Sequence, residues 1–234
     1  MNIFQKAIEQ NRLVLTEFES KQLIKDLGIK TTEIRLAVSE EEAIKISNEI
    51  GFPVVMKISS PDITHKSDAG GVKVGLKTSA EVAQAYREIM SSCTSKFPTA
   101  KMEGIAVQNM ARPGVEVIVG MTKDQQFGPV IMFGLGGIWV EILKDTTFRI
   151  TPLTQNDARD MITEIKSFPL LKGFRGMEPV DLQALEDILM KVSSFVEDNP
   201  QIKEMDLNPI FAYKDGAMVV DARIILEPNK PAKD

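Results

Sequence analysis

With 234 residues, 43% of them hydrophobic and 26% charged, the chain has the make-up of an ordinary globular protein, with enough apolar matter for one large domain or two lobes. Its net charge of −5 argues against nucleic acid as a main partner, because phosphate backbones demand a basic face. Cys93 is the single cysteine, which excludes a disulfide framework and a cysteine-built metal site and suits a reducing cytoplasm. The start, Met1-Asn2-Ile3-Phe4-Gln5-Lys6, lacks the charged-then-apolar pattern of a secretory signal, and no window is apolar for long enough to span a membrane. The expectation is a soluble cytoplasmic chain without membrane contact.

Ile3, Phe4, Ala7 and Ile8 fall at helical spacing, so residues 2–13 predict a short amphipathic helix. Thr16-Glu17-Phe18-Glu19 has the form of a capping box that opens a helix ending at Gly28. A strand at Glu33–Val38 follows, then a second box at Ser39-Glu40-Glu41-Glu42 and a helix ending near Gly51. Val54–Ile58 and Val72–Leu76 are strands, Ser79 caps a helix to about Lys96, and Ile105–Met110 is a strand. The order β-α-β-β-α-β describes a compact α+β lobe.

Beyond Gly114 the pattern changes to short runs broken by glycine, Val115–Met121, Val130–Phe133 and Trp139–Leu143, which favours antiparallel pairing. Thr154 caps a helix to about Lys166. A loop rich in Gly, Pro and Phe spans 167–179, and a long helix runs from Asp181 to Glu197. Ile202–Tyr213 and Ala217–Leu226 flank Lys214-Asp215-Gly216, a strong hairpin signal. With Asp215-Gly216 as the two central turn residues, Lys214 faces Ala217, Ile210 faces Asp221 and Asn208 faces Arg223. Alternation then puts Asp206, Asn208 and Asp221 on one sheet face. The division expected is an N-terminal helical segment (1–20), a lobe at 21–110, a second lobe at 111–226 and a loose tail at 227–234.

The stretch Lys57 to Lys73 gathers chemistry. Lys57 ends an apolar strand and is placed to meet a phosphate as a point charge, although a lone lysine there is an ordinary surface residue. Gly70-Gly71 permits close approach of backbone N–H groups to phosphate oxygens, although such pairs also mark plain turns. His65, the chain's one histidine, is either a solvated loop residue or a nucleophile for phosphoryl transfer, since neutral imidazole attacks well near pH 7. The second role needs a carboxylate to orient the ring. Asp68 and Asp206 both qualify. Gln108-Asn109-Met110 can offer backbone groups to an adenine, and Glu116 can accept ribose hydroxyls. Asn208 and Asp221 are oxygen donors of the kind Mg²⁺ takes when nucleotide and water complete its octahedron. Gly134-Leu135-Gly136-Gly137 lacks the spacing of a dinucleotide fingerprint and reads as a turn.

Taken together, Pro53-Val54-Val55-Met56-Lys57, His65-Lys66-Ser67-Asp68-Ala69-Gly70-Gly71-Val72, Gly114-Val115-Glu116-Val117-Ile118-Val119-Gly120, Phe133-Gly134-Leu135-Gly136-Gly137, Phe148-Arg149-Ile150-Thr151-Pro152-Leu153, Glu204-Met205-Asp206-Leu207-Asn208-Pro209 and Asp221-Ala222-Arg223 follow one ordered pattern. Each motif is weak alone, but the set resembles the ATP-grasp (β) subunit of ADP-forming acetate–CoA ligases over Leu15 to Leu226. Succinyl–CoA ligase β subunits are similar at a greater distance. The resemblance implies an α+β ATP-grasp fold of two α/β lobes with the nucleotide between them, and the reaction acyl-CoA + ADP + phosphate ⇌ carboxylic acid + CoA + ATP.

It further implies that an α subunit binds CoA, forms acyl phosphate and passes the phosphoryl group through its own histidine to His65, on a mobile loop, and on to ADP. Lys57, Gly70, Gly71 and Arg149 would attend the phosphates, Glu116 the ribose, Asp206 phospho-His65, and Asn208 and Asp221 the Mg²⁺. An α₂β₂ heterotetramer is the expected assembly. Two other readings stay open: an ATP-grasp ligase that activates a carboxylate directly, with His65 incidental, and a non-catalytic ATP-sensing subunit.

Overall fold

A computed structural model describes residues 2–63, 65–137 and 145–228, and within it the chain divides into two compact units. One comprises residues 16–19 and 32–112; the other comprises the first fifteen residues, 20–31 and the chain from Pro113 onward. Residues 21–31, expected in the first lobe, thus belong to the unit built mainly from the second half. The expected strand at Trp139–Leu143 lies outside the described residues.

The smaller unit holds β1 (Ile34–Ala37), α3 (Glu40–Ile50), β2 (Val54–Ser59), β3 (Val72–Leu76), α4 (Ser79–Lys96) and β4 (Gly104–Asn109), in the predicted order. Its antiparallel sheet runs β1-β4-β2-β3. Strand β2 lies inside that sheet and is buried along its whole length, which is why it reads as an unbroken apolar run rather than an alternating one. Ala43, Ile46, Val82, Ala85 and Ile89 face it from the two helices. Two caps differ from expectation. Ser39 accepts from Glu42 N–H (3.2 Å), but the Glu42 carboxylate turns to Val38 N–H (2.8 Å) instead of Ser39. Thr78, not Ser79, caps α4, by accepting from Glu81 N–H at 3.2 Å. Thr has the same oxygen one position earlier, so the helix simply starts one residue sooner.

In the larger unit α1 (Ile3–Glu9) buries Phe4 and Ala7. Helix α2 (Glu17–Asp26) opens on the predicted box within residues 16–19 of the smaller unit, with Thr16 Oγ1 accepting from Glu19 N–H at 3.2 Å and Glu19 Oε2 accepting from Thr16 N–H at 2.9 Å, and from Ser20 onward it belongs to the larger unit. Strands β5 (Val115–Asp124), β6 (Gly128–Leu135), β7 (Thr146–Ile150), β8 (Ile202–Tyr213), β9 (Gly216–Val219) and β10 (Ala222–Leu226) form an antiparallel sheet ordered β10-β8-β5-β6-β7, with β9 also on β8. Helices α5 (Gln155–Glu164), α6 (Phe168–Leu171) and α7 (Leu182–Asp198) complete the unit. Leu185, Ile188, Leu189, Val192 and Val196 recur at three- and four-residue spacing along α7 and are buried in the core with Val117, Val119, Ile131 and Phe133 of the sheet. Each such side chain contributes about 1.5–3 kcal/mol by leaving water.

The hairpin differs from its predicted register. Tyr213 pairs Gly216, Ala212 pairs Ala217 and Ile210 pairs Val219, so the turn is Lys214-Asp215. The reason is that Gly216 alone takes a positive φ (128°), and it does so as the first residue of β9. Asn208 therefore lies opposite Asp221, its N–H donating to the Asp221 carbonyl at 3.2 Å, and Asp206 pairs Arg223. The shift is two residues, so the face on which these side chains lie is unchanged; a shift of one would have reversed it. A bulge adds a second departure. Asn208 and Pro209 together oppose Ile118, because Val117 pairs Ile210 while Val119 pairs Leu207. Burial switches with it, from Met205 and Leu207 to Ile210 and Ala212.

Candidate active site

The helices and the sheet of the larger unit bury one sheet face. On the other face, Ile118, Gly120, Val130, Met132 and Phe148 form the apolar floor of a cavity of about 420 Å³, and Thr122, Glu204, Asp206, Asn208 and Arg223 form its polar side. Pairing explains the gathering: Asp206 lies across from Gly120 on one side and Arg223 on the other. Glu116 is exposed two residues before Ile118 and so shares this face. Burial pushes the Asp206 carboxyl above the usual carboxylate range, the Asp221 charge pushes the same way, and Arg223 opposes them. Asp206 keeps an open side to solvent while being surrounded by the cavity wall. That crowding of carboxyl groups is an arrangement that a cation would relieve.

Among the described residues no group of three or more His, Cys, Asp or Glu side chains could hold a metal alone. Asp221 with Asn208 suits Mg²⁺, which takes few protein oxygens and completes its shell from nucleotide and water.

Glu116 also carries the turn that follows β6. Gly136 N–H donates to the Glu116 carbonyl at 2.8 Å, and a Cβ on Gly137 would come within 2.8 Å of Glu116 Oε2. Gly136 and Gly137 thus let the backbone close over Glu116.

Arg149 is not in this group. It pairs with Ile131, a core residue, so its side chain leaves the sheet on the opposite face from Phe148 and the cavity. There its guanidinium donates to Glu164 Oε1 at 2.6 Å, and that bond raises its pKa further above its already basic value. The direction follows from the pleat: β7 is a strand, and its odd-numbered position faces the helices.

In the smaller unit, Lys57 is buried and its Nζ donates to Glu17 Oε1 at 2.8 Å. The exposed His65 opens a tight turn: Ala69 N–H donates to the His65 carbonyl (3.2 Å), Gly70 N–H to Ser67 (2.9 Å) and Gly71 N–H to Lys66 (2.7 Å). A Cβ on Gly71 would come within 2.6 Å of Ile58 Cγ2 and 3.0 Å of the Lys66 carbonyl; on Gly70, already at φ 73°, it would meet Ser92 Oγ at 2.7 Å. Packing alone therefore demands both glycines. Several contacts fasten this segment. Ile63 and Ala69 are buried, Ser92 Oγ donates to the Ala69 carbonyl at 2.8 Å, Lys96 Nζ donates to the Asp68 carbonyl at 2.9 Å, and Lys66 Nζ donates to Glu17 Oε2 at 3.1 Å. Asp68 is exposed.

The 108–110 stretch is less available than expected. Gln108 is buried in the sheet, Asn109 Oδ1 accepts from Glu33 N–H at 2.7 Å, and the Met110 N–H donates to Pro53 at 3.1 Å. These bonds fasten β1 and the end of β2. Two charged residues, Glu17 and Arg223, were missed by sequence reasoning. Glu17 stood only as an inner position of the Thr16–Glu19 capping box, and Arg223 acquires its meaning only from the strand pairing.

The model of the ATP-grasp domain matches residues 6–226. The β subunit of ADP-forming acetate–CoA ligase I from Pyrococcus furiosus is 53% identical over 224 residues, spanning 96% of either chain. The chain belongs to the ATP-grasp family of ADP-forming acetate–CoA ligase β subunits. It is a ligase subunit. The solved acetyl-coenzyme A synthetase 1 of Ca. Korarchaeum cryptofilum, in complex with coenzyme A, Ca-AMPCP and HgCl⁺, is 54% identical and superposes with a TM-score of 0.93, covering 96% of this chain and 98% of that one. Two further structures of that enzyme (TM-scores 0.89 and 0.85, 52% and 50% identical, the same coverage) show a phosphorylated phosphohistidine segment in a site I orientation and, with Mg-AMPPCP, one pointing towards the nucleotide binding site. In Archaeoglobus fulgidus the corresponding region, 42% identical over 224 residues, makes up 32% of a longer ADP-forming acetate–CoA ligase I. Among the described residues no helix is long and apolar enough to cross a membrane.

Proposed function

We propose that this chain performs the nucleotide half of acyl-CoA + ADP + phosphate ⇌ carboxylic acid + CoA + ATP, with His65 as the phosphoryl carrier. The observation that carries this reading is the His65 turn: an exposed imidazole on a turn closed by its own backbone bonds and fastened by Lys66. In the incoming step an imidazole nitrogen bonds to phosphorus as the bond from phosphorus to the α subunit's histidine breaks. In the outgoing step the ADP β-phosphate oxygen bonds to phosphorus as the N–P bond to His65 breaks, which returns neutral imidazole. Such transfers ask the protein for alignment and charge neutralisation more than for covalent help.

Lys57 and the Gly70-Gly71 turn are assigned to nucleotide phosphates, Glu116 to ribose hydroxyls and Asp206 to orienting the phosphorylated ring. Asn208 and Asp221 would hold Mg²⁺, which when bound would neutralise charge on the phosphates. Arg149, held by Glu164 on the helix side of its sheet, is given no role. The α subunit would contribute CoA binding and acyl-phosphate formation, in an α₂β₂ assembly within the cytoplasm. The fixed pairing of Asp206, Asn208 and Asp221 favours turnover over ATP sensing, and the docked His65 turn favours a carrier over direct carboxylate activation.

The test mixes the α/β complex with labelled phosphate and acyl-CoA. Acid-labile, base-stable label is expected on this chain, and His65→Ala should abolish both label and turnover. Label retained in that variant would end the carrier assignment.

A further inference from the structure

One charged group in the smaller unit has no part in the scheme above. Glu17 Oε1 accepts from Lys57 Nζ at 2.8 Å and Oε2 accepts from Lys66 Nζ at 3.1 Å, with side-chain exposures of 4%, 10% and 23% for the glutamate and the two lysines in turn. A carboxylate so deeply buried is costly unless paired. One lysine would make that pair; the second comes from the residue next to His65. The other fastenings of the turn act on its far half, where Ser92 and Lys96 hold the carbonyls of Ala69 and Asp68. Lys66 fastens the histidine half. A single carboxylate therefore holds both the strand lysine and the histidine-bearing turn.

We infer that Glu17 is a positioning residue, the shared counter-ion through which Lys57 and the docked His65 turn are coupled. This rests on the roles proposed above for Lys57 and His65. Electrostatics sets the direction. A nucleotide phosphate at Lys57 draws the ammonium from Glu17, so more of the carboxylate's attraction falls on Lys66, and the turn is held more firmly. When Lys66 departs with the turn, Glu17 bears more strongly on Lys57 and competes with phosphate for it. Binding coupling is reciprocal: nucleotide favours the docked turn by the same factor as the docked turn favours nucleotide.

Amide hydrogen exchange at Ala69, Gly70 and Gly71 in the full-length chain, with and without ADP, reads the docking directly. ADP should slow exchange in the wild type. In Lys66→Gln the three amides should exchange about 10-fold faster, with the ADP effect gone and ADP affinity lowered several-fold. Lys66→Arg should restore both. Glu17→Gln should lose the ADP effect too, and adding Lys66→Gln to it should accelerate exchange no further. Wild-type exchange in Lys66→Gln, an ADP effect that survives there, or additive acceleration in the double variant would each overturn the inference. If Glu17→Gln does not fold, the two substitutions at the partly exposed Lys66 decide alone. His65→Ala separates the two readings, because it keeps Lys66. Turnover surviving in His65→Ala sinks the carrier and leaves the exchange result standing, whereas label lost there with exchange indifferent to Lys66→Gln sinks the positioning role only.

Discussion

The two charge-bearing regions of this chain have been finished differently. Around Glu17 the charges are closed on themselves: two ammoniums share one buried carboxylate, and the neighbouring glycines fit with no room for a methyl group. On the open face of the larger sheet the balance is left incomplete, with the Asp206 carboxyl pushed up by burial and by Asp221 and relieved only in part by Arg223. The first region is preorganised by its own residues. In the second, burial and the Asp221 charge raise the Asp206 carboxyl, and a phosphate-bound cation would oppose both. A relay needs both kinds of site, one that holds a moving part in register and one whose charge is completed only by substrate.

After the His65 exchange, the largest expected effect comes from the unfinished region. Asp221→Ala should lower Mg²⁺-dependent turnover about 100-fold or more while leaving assembly with the α subunit intact, measured by steady-state rates and size-exclusion chromatography. Unchanged turnover would mean that this face completes its charge without a metal. The finished region should respond in stability first. Gly71→Ala forces a Cβ against Ile58 and the Lys66 carbonyl, and denaturant titration should show a loss of about 1–3 kcal/mol. A neutral result would show that the turn can yield, and would weaken the contrast.

The smallest effect is also the most diagnostic. Asp206 has its pKa raised on folding, so ionisation near neutral pH opposes the fold; the stability attached to its protonated form is lost as pH rises through the folded value. Asp206→Asn should therefore raise Tm at pH 7.5, by about 2 °C once the open side of the carboxyl is allowed for. The gain should shrink to nothing at about pH 3, below the ordinary carboxylate pKa. The same variant should slow phosphoryl transfer, a stability gain at the expense of activity. A Tm that falls at both pH values would show that Asp206 is a structural residue.

Much of the fold was legible because periodicity and caps act locally. The smaller unit's element order, the Thr16 box and the long α7 all follow from residues within a few positions of one another. The hairpin failed by two residues because Asp-Gly normally fills the two central turn positions, whereas here glycine's positive φ is used one step later. The shared face of Asp206, Asn208 and Asp221 survived that error only because two is even. Strand β7 was missed because it is a short edge strand whose apolar Phe148 and Ile150 point away from the core. The short α6 hid in a loop whose proline and glycines signalled only turns. Glu17 was illegible in principle. Forty residues separate it from Lys57, and no local pattern marks a carboxylate that will be buried between two distant lysines.

One small feature governs how safely the larger unit can be handled. Leu15 N–H donates to the Ile224 carbonyl at 3.0 Å and Leu226 N–H to the Leu13 carbonyl at 2.7 Å, so residues 13–15 run along the outer rim of β10. Without them that strand would present a row of bare amides and carbonyls, a template for pairing with another molecule. The segment ahead of α2 is thus a guard rail for the sheet, and a shortened version beginning at Thr16 would trade a few flexible residues for a sticky margin.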